Sequence, residues 1–357
     1  MTRILFLSYL SDDYSRSGTL ASALGKNSAL KMDFYRICTV SVKEIAKLRK
    51  FLKENSFNYE YIVIMSPAHF LTIFAKVFSR AFLILDAGWP LSDASKIRRG
   101  TKSLKYLKDL FIDRLSMFLS DIVILESIAQ MRALEQKRYK FRRIPQVIYT
   151  GLREDRFNSS QERTNSSKYE GTPEKLKVIF RGKYNDEAGL EFIQHVFSKR
   201  KDSFELIICC PGIPEYFKRN RDITFIARYL EDEEIAKLLA KSHLAINQFG
   251  KSDRIQRSIA HKVFEYAYFG IPTICQRGSA AEEIFSNNQF FYLSQDQLGR
   301  FLDQILMNKV ETLKDLSERS KRIMNTYEET LSERAIEKQF SKIIKNLEKN
   351  RRPARDS

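Results

Sequence analysis

Apolar residues gather in short runs of β-forming types: ILFLS at 4–8, YIVIM at 61–65, AFLIL at 81–85, DIVIL at 121–125 and QVIY at 146–149. Between the runs, apolar positions recur every three or four residues. Continuous apolar runs of this length fit strands buried on both faces, and their alternation with helical spacing predicts βαβ units around a parallel sheet. From Asn158 to Lys175 the pattern lapses into NSSQERTNSSKYEGTPEK, polar and nearly free of large apolar side chains, which reads as a linker. The rhythm then restarts with LKVIF (176–180), FELIICC (204–210), DITFI (222–226), HLAIN (243–247) and PTIC (272–275). Beyond Leu298 the strands cease. There Ile336, Phe340, Ile343, Ile344 and Leu347 fall at spacings of three and four, one stripe of a helix. The pattern predicts an α/β chain of two doubly wound domains, 1–157 and 176–310, joined by the linker 158–175. Helices over 311–350 are expected to pack back across the domains, and 350–357 to form a frayed basic tail.

Composition supports a globular chain, with 43% hydrophobic residues in 357. No apolar stretch approaches the ~18 residues of a membrane span, and the opening MTRILFLSYLSDDYSR meets acids too soon for a secretion signal. The four cysteines form no Cys-x-x-Cys pair, so neither zinc nor a disulfide framework is expected, and a cytoplasmic setting follows. Charge is unevenly spread. Of the net +17, residues 1–150 hold 25 basic and 13 acidic side chains, an excess of 12. Lys96–Lys108 carries six cations and no acid, and Arg132–Arg143 six cations and one acid. Such runs are either solvated helix faces or a surface for an anionic neighbour. Nucleic acid is not the expected neighbour, because no recognition module is present and the 26 Phe and 16 Tyr fall mostly in apolar runs.

Several chemistries drop out on motif grounds. There is no GxGxxG after a strand, no GxxxxGK[ST] and no Asp-x-Asp. The histidines His69, His195, His243 and His261 show no paired ligand spacing, so no metal and no cofactor is expected.

The most informative stretch is Ser258–Phe285, SIAHKVFEYAYFGIPTICQRGSAAEEIF: a helix stopping at Gly270, Pro272 opening a short strand, and Gly278 before another helix start. Its ordered Lys, Phe-Glu-Tyr, Gly-x-Pro and Gly positions resemble a block of nucleotide-sugar glycosyltransferases of the GT-B fold, in the retaining family 4 (group 1) class. VIYTGLREDRF at 147–157 resembles that family's segment closing the N-terminal domain, and VIFRGKYNDEAGL at 178–190 the first strand and loop of its donor domain.

The resemblance implies two Rossmann-like domains facing an inter-domain cleft, the first binding acceptor and the second a nucleotide-sugar donor. It implies that Glu265 accepts hydrogen bonds from the ribose hydroxyls, and that Lys262 faces donor phosphate or else pairs with a neighbour. Arg181, Gly182 and Lys183 line the first donor loop, and Gly278, Ser279 and Ala280 let backbone approach a diphosphate. Gly18 stands where the family's glycine-rich first loop meets donor and acceptor. His69 and Asp86, at the carboxyl ends of predicted strands, are candidates to orient or deprotonate the acceptor hydroxyl. Each has a plainer alternative, a surface Glu, a turn or a satisfied structural His.

Two positions depart from the family. Eight residues before Glu265 stands Arg257 in place of a glutamate, with Asp253 nearby as a possible substitute, and Ala188 replaces one of two basic residues expected for the diphosphate. The expected activity is transfer of a sugar from a nucleotide-diphosphate sugar to a hydroxyl of a lipid-linked glycan or surface polysaccharide precursor. It would proceed with retention and without metal, at an anionic inner membrane surface. The alternative is a degenerate GT-B protein that binds a nucleotide sugar or glycan without catalysis.

Overall fold

A computed structural model describes residues 2–9, 15–157 and 166–351. The first part of the predicted linker, residues 158–165, and nearly all of the predicted tail, residues 352–357, lie outside the described residues. The chain divides into two compact units, Met1–Arg153 with Glu333–Ser357, and Glu154–Ser332.

The first unit runs β1 (Thr2–Tyr9), α1 (Ser15–Gly25), β2 (Leu30–Ile37), α2 (Val42–Asn55), β3 (Tyr61–Met65), α3 (Leu71–Phe78) and β4 (Phe82–Gly88). It continues with α4 (Leu91–Arg99), α5 (Leu104–Leu119), β5 (Ile122–Leu125), α6 (Ile128–Gln136) and β6 (Gln146–Val147). All strand pairs are parallel, in the order β2-β1-β3-β4-β5-β6. The continuous apolar runs have a direct cause: alternate residues of one strand feed two different cores. Leu5, Leu7, Ile62, Ile64, Leu83 and Leu85 meet α2 and α3 through Leu48, Leu52, Leu71 and Ala75. Ile4, Phe6, Tyr61, Val63 and Ile84 meet Leu20, Ala23 and Leu24 of α1 on the other face.

The second unit runs β7 (Leu176–Arg181), α7 (Leu190–Ser198), β8 (Phe204–Cys209), β9 (Thr224–Ile226), α8 (Asp232–Ala240), β10 (Leu244–Ile246) and α9 (His261–Tyr268). It ends with β11 (Thr273–Gln276), β12 (Phe291–Leu293), α10 (Gln295–Met307) and α11 (Lys309–Thr326). Its parallel sheet has the order β12-β11-β10-β7-β8-β9, the doubly wound dinucleotide-fold order when counted from β7. Leu313 and Leu316 of α11 join this unit's core. The last helix, α12 (Glu333–Arg351), belongs to the first unit. Its stripe of Ile336, Phe340, Ile343, Ile344 and Leu347 packs on the α1 face of the first sheet. The division after Arg153 has a local cause as well: Phe157 stacks on Tyr268 and Phe269, ring centroids 5.9 and 5.6 Å away.

Each sheet has one more strand than the apolar runs predict. β2 and β12 are edge strands, and β2 alternates Leu30, Met32 and Phe34 with Lys31 and Asp33, a period-2 signal rather than a run.

Candidate functional site

In the second unit the strand order reverses between β7 and β10, and sheets of this kind take ligands outside the carboxyl ends of the strands at that point. β7 ends at Arg181, and Gly182 follows with φ +153°. A Cβ there would stand 3.1 Å from the ammonium of Lys262, so the glycine admits the close approach of that side chain. Lys262 lies on α9, only 8% exposed, its Nζ 3.7 Å from the centroid of the Phe180 ring. Among the described residues no carboxylate lies within salt-bridge distance of it. Burial pushes its pKa down to about 7, while the Cys210 and Cys275 thiols and Glu265 pull the other way.

One turn further along α9, Glu265 is 1% exposed. Both its carboxylate oxygens accept from Nη1 of Arg181, at 2.6 and 2.5 Å, and His261 Nδ1 lies 3.5 Å from Oε1. Burial alone would raise this carboxyl, but Arg181 and then His261 outweigh it and hold the group below the usual carboxylate range. The Arg181 backbone N–H donates to the Tyr266 hydroxyl at 2.8 Å, locking the end of β7 to α9. Arg181, Gly182, Lys262 and Glu265 therefore form one cluster. Sequence alone left the direction of Arg181 open.

The other expected donor residues are placed differently. Lys183 is exposed. Ala188, in place of the second basic residue, is buried in the core, where a charged side chain would have no water. Around it the loops after β7 and β10 are joined backbone to backbone: Phe249 N donates to Ala188 O at 3.2 Å and Gly250 N to Glu187 O at 3.0 Å. A Cβ on Gly189 would fall 2.6 Å from the Phe249 carbonyl carbon. The helix start expected after Gly278 is a single 3-10 turn, Ala280–Glu283. Two of the N–H groups here have partners within the turn: Gly278 N donates to Glu282 Oε1 at 2.6 Å and Ala281 N to the Ser279 hydroxyl at 3.3 Å. Gly278, Ser279 and Ala280 thus lie in a turn capped in part by its own side chains. Asp253 pairs with Arg257 at 3.1 Å on the surface and does not stand in for the missing glutamate.

In the first unit, two candidates are buried. Asp86, at the end of β4, is fully buried and held by Arg16: Nε to Oδ1 and Oδ2 at 2.9 and 3.1 Å, and Nη2 to Oδ1 at 2.6 Å. Arg16 Nη1 also donates to the Ile148 carbonyl at 2.9 Å, which ties α1 to β4 and to the chain beyond β6. This pairing ties Asp86 into the fold of the first unit. His69 is likewise fully buried, with no hydrogen-bond partner on either ring nitrogen, and its carbonyl accepts from Ser116 of α5 at 2.7 Å. Gly18 lies within the first turns of α1 rather than in a loop, while residues 10–14 of the loop itself lie outside the described residues.

Two polar atoms at the switch point escaped the sequence reading. Asn247, directly after β10, and Gln276, at the end of β11, each bury a side-chain carbonyl oxygen that lacks a partner. Their position at the carboxyl ends of strands in HLAIN and PTICQ was the available signal.

Over residues 190–339 the sequence matches the family described as glycosyl transferase-like. Comparison with the sequences of curated proteins gives no match. Among solved structures the chain is similar to HepE from Anabaena in complex with UDP and glucose, at 13% identity over 97% of this chain and 100% of that one, TM-score 0.70. A glycosyltransferase from Rickettsia africae is similar at 14% identity over 98% and 99% of the two chains, TM-score 0.67. Sucrose-phosphate synthase from Thermosynechococcus elongatus is similar at 10% identity over 98% and 100%, TM-score 0.71. At such identities the likeness is one of fold. The two parallel six-stranded units have the GT-B fold of glycosyltransferases, and the matched region together with that fold supports a transferase.

Proposed function

We propose that the chain transfers a sugar from a nucleoside-diphosphate sugar to a hydroxyl of a lipid-linked glycan or surface polysaccharide precursor. In this reading transfer retains anomeric configuration, needs no metal, and takes place at the anionic inner face of the cell membrane. The observation that carries it is Lys262, a buried ammonium with no carboxylate partner among the described residues, at the β7/β10 switch point directly behind Gly182. A donor diphosphate there supplies the missing anion. As the bond from sugar to diphosphate breaks, charge grows on the leaving phosphate, and a preorganised cation in a dry site stabilises it. Glu265, kept ionised by Arg181 and His261, is the acceptor for the ribose hydroxyls, Oε2 retaining a lone pair beside its bond to Arg181. HepE from Anabaena binds UDP-glucose, which makes UDP the first probe.

The test is a thermal-shift series with UDP, GDP, ADP, CMP and their sugars on the wild type and on Lys262→Met. A shift with one diphosphate that vanishes in the variant supports the reading, because ligand stabilises the folded state by mass action. No shift with any nucleotide sinks it. Arg257 in place of the glutamate, together with the burial of His69 and Asp86, favours a second reading, binding without turnover. Donor binding with neither transfer nor donor hydrolysis would establish that alternative.

A further inference from the structure

Besides Met117 and Leu110, which pack on the core of the first unit, the hairpin of α4 and α5 carries an exposed apolar face. The buried positions of α5 are Asp109, Asp113, Ser116 and Met117, whereas Leu104, Leu107 and Phe111, spaced three and four apart on one face, are 84%, 52% and 64% exposed. Ile97 of α4 is 54% exposed. An amphipathic helix folded against a soluble core has the opposite arrangement.

Charge is divided in the same way. The three acids of residues 91–119 all point inward. Asp93 takes Lys137 at 3.0 Å, and Asp109 is held by Ser95 and, at 3.3 Å, by Lys105. Asp113 accepts from the Leu91 and Ser92 backbone N–H groups at 3.1 and 2.8 Å, capping the start of α4. The cations Lys96, Arg98, Arg99, Lys102, Lys105 and Lys108 are all exposed. The hinge between the helices is fixed by Gly100, at φ +75°, and by Ser103, whose hydroxyl accepts from Tyr106 N at 3.2 Å.

We infer that the α4–α5 hairpin is an interfacial membrane anchor. Its cations meet anionic headgroups, and Leu104, Leu107 and Phe111 enter the boundary between headgroups and acyl chains. A bilayer satisfies both features with one partner. A second copy of the chain does not, because a two-fold contact would set this cationic face against itself. No helix among the described residues is long and apolar enough to cross a membrane, so the contact lies in the plane of the interface. The inference deepens the membrane part of the proposed function and is independent of the donor site.

The full chain is sedimented with phosphatidylcholine vesicles with or without a one-third share of phosphatidylglycerol. Wild type should bind the anionic vesicles only. Lys102→Glu with Lys108→Glu should weaken binding by about fivefold or more per charge. Leu107→Gln with Phe111→Gln, both at exposed sites, should keep the melting temperature and weaken binding by about tenfold or more. Phe111→Trp should be quenched by brominated lipid beyond the background of Trp89, the one tryptophan in the sequence. If wild type binds and the Leu107/Phe111 double variant binds equally well, the hairpin is not the anchor, though membrane association stands. If wild type binds no vesicle, both fall. Loss of a soluble dimer in that variant, without vesicle binding, would assign the face to a second copy instead.

Discussion

Lys262 is a cation held where water barely reaches it. Its pKa of about 7 lies far below the ~10.4 of an unfolded lysine, so the folded state binds fewer protons between those values. Below pH 7 both states are charged and the full cost of burying the ammonium is felt; between about pH 7 and 10 stability rises as that cost is relieved. Lys262→Met should therefore raise stability at pH 7 by about 1 kcal/mol or more, measured by urea unfolding, while abolishing the diphosphate shift. In the wild type, diphosphate binding restores the proton. Affinity for UDP should fall as pH rises above about 7, and an affinity that is flat from pH 7 to 9 would remove Lys262 from the diphosphate site. Glu265 has the opposite linkage. Its carboxyl is held down in the folded state, so the stabilisation is present above the unfolded value of ~4.3 and is lost as pH falls through the folded value. Glu265→Gln should cost about 2 kcal/mol at pH 7, a gap that closes in strong acid. Its ribose contacts weaken as well, so the variant should bind UDP less tightly while its response to inorganic diphosphate is preserved.

At the scale of elements, α12 is a helix of the first unit supplied from the far end of the chain. Phe340 is fully buried between α1 and the first sheet, and Phe340→Ala should cost about 3–5 kcal/mol, read as a lower unfolding midpoint. The stripe of α12 was legible in sequence because its spacing is periodic. Its destination was not, because periodicity tells which face is buried but not against what. The same limit explains the strands. β3 and β4 stand out because both faces are covered, whereas β2, at an edge, mixes Lys31 and Asp33 into its sequence and presents no continuous apolar run. Within the site, Lys262 and Glu265 were marked by the ordered motif around them. The surroundings of His69 and Asp86 were not legible in sequence, and for one reason. A strand end places a residue near a ligand crevice, but what surrounds its side chain depends on residues remote in sequence, as with Arg16, 70 positions from the Asp86 carboxylate it pairs with.

At the scale of the whole molecule, the net +17 resolves into local surfaces. The basic run Lys96–Lys108 is exposed because the acids of its own hairpin are folded inward, so the excess measured in the sequence understates the positive potential at that face. Stability is divided as well. One core of Leu176, Val178, Phe180, Leu206, Ile208 and Ile246 lies in Glu154–Ser332, while two others lie on the faces of the first sheet and include α12. The chain passes between the units twice, after Arg153 and after Ser332, and each unit carries its own apolar interior. Calorimetry should therefore resolve two transitions. The proposed donor residues Lys262 and Glu265 both lie in the second unit, so if the proposal holds UDP at ~100 times its Kd should stabilise that transition by about 2.7 kcal/mol. Phe340→Ala should lower the other. If UDP and Phe340→Ala move one and the same transition, the two units fold as a single cooperative body, and the separation of donor binding from the stability of the first unit fails.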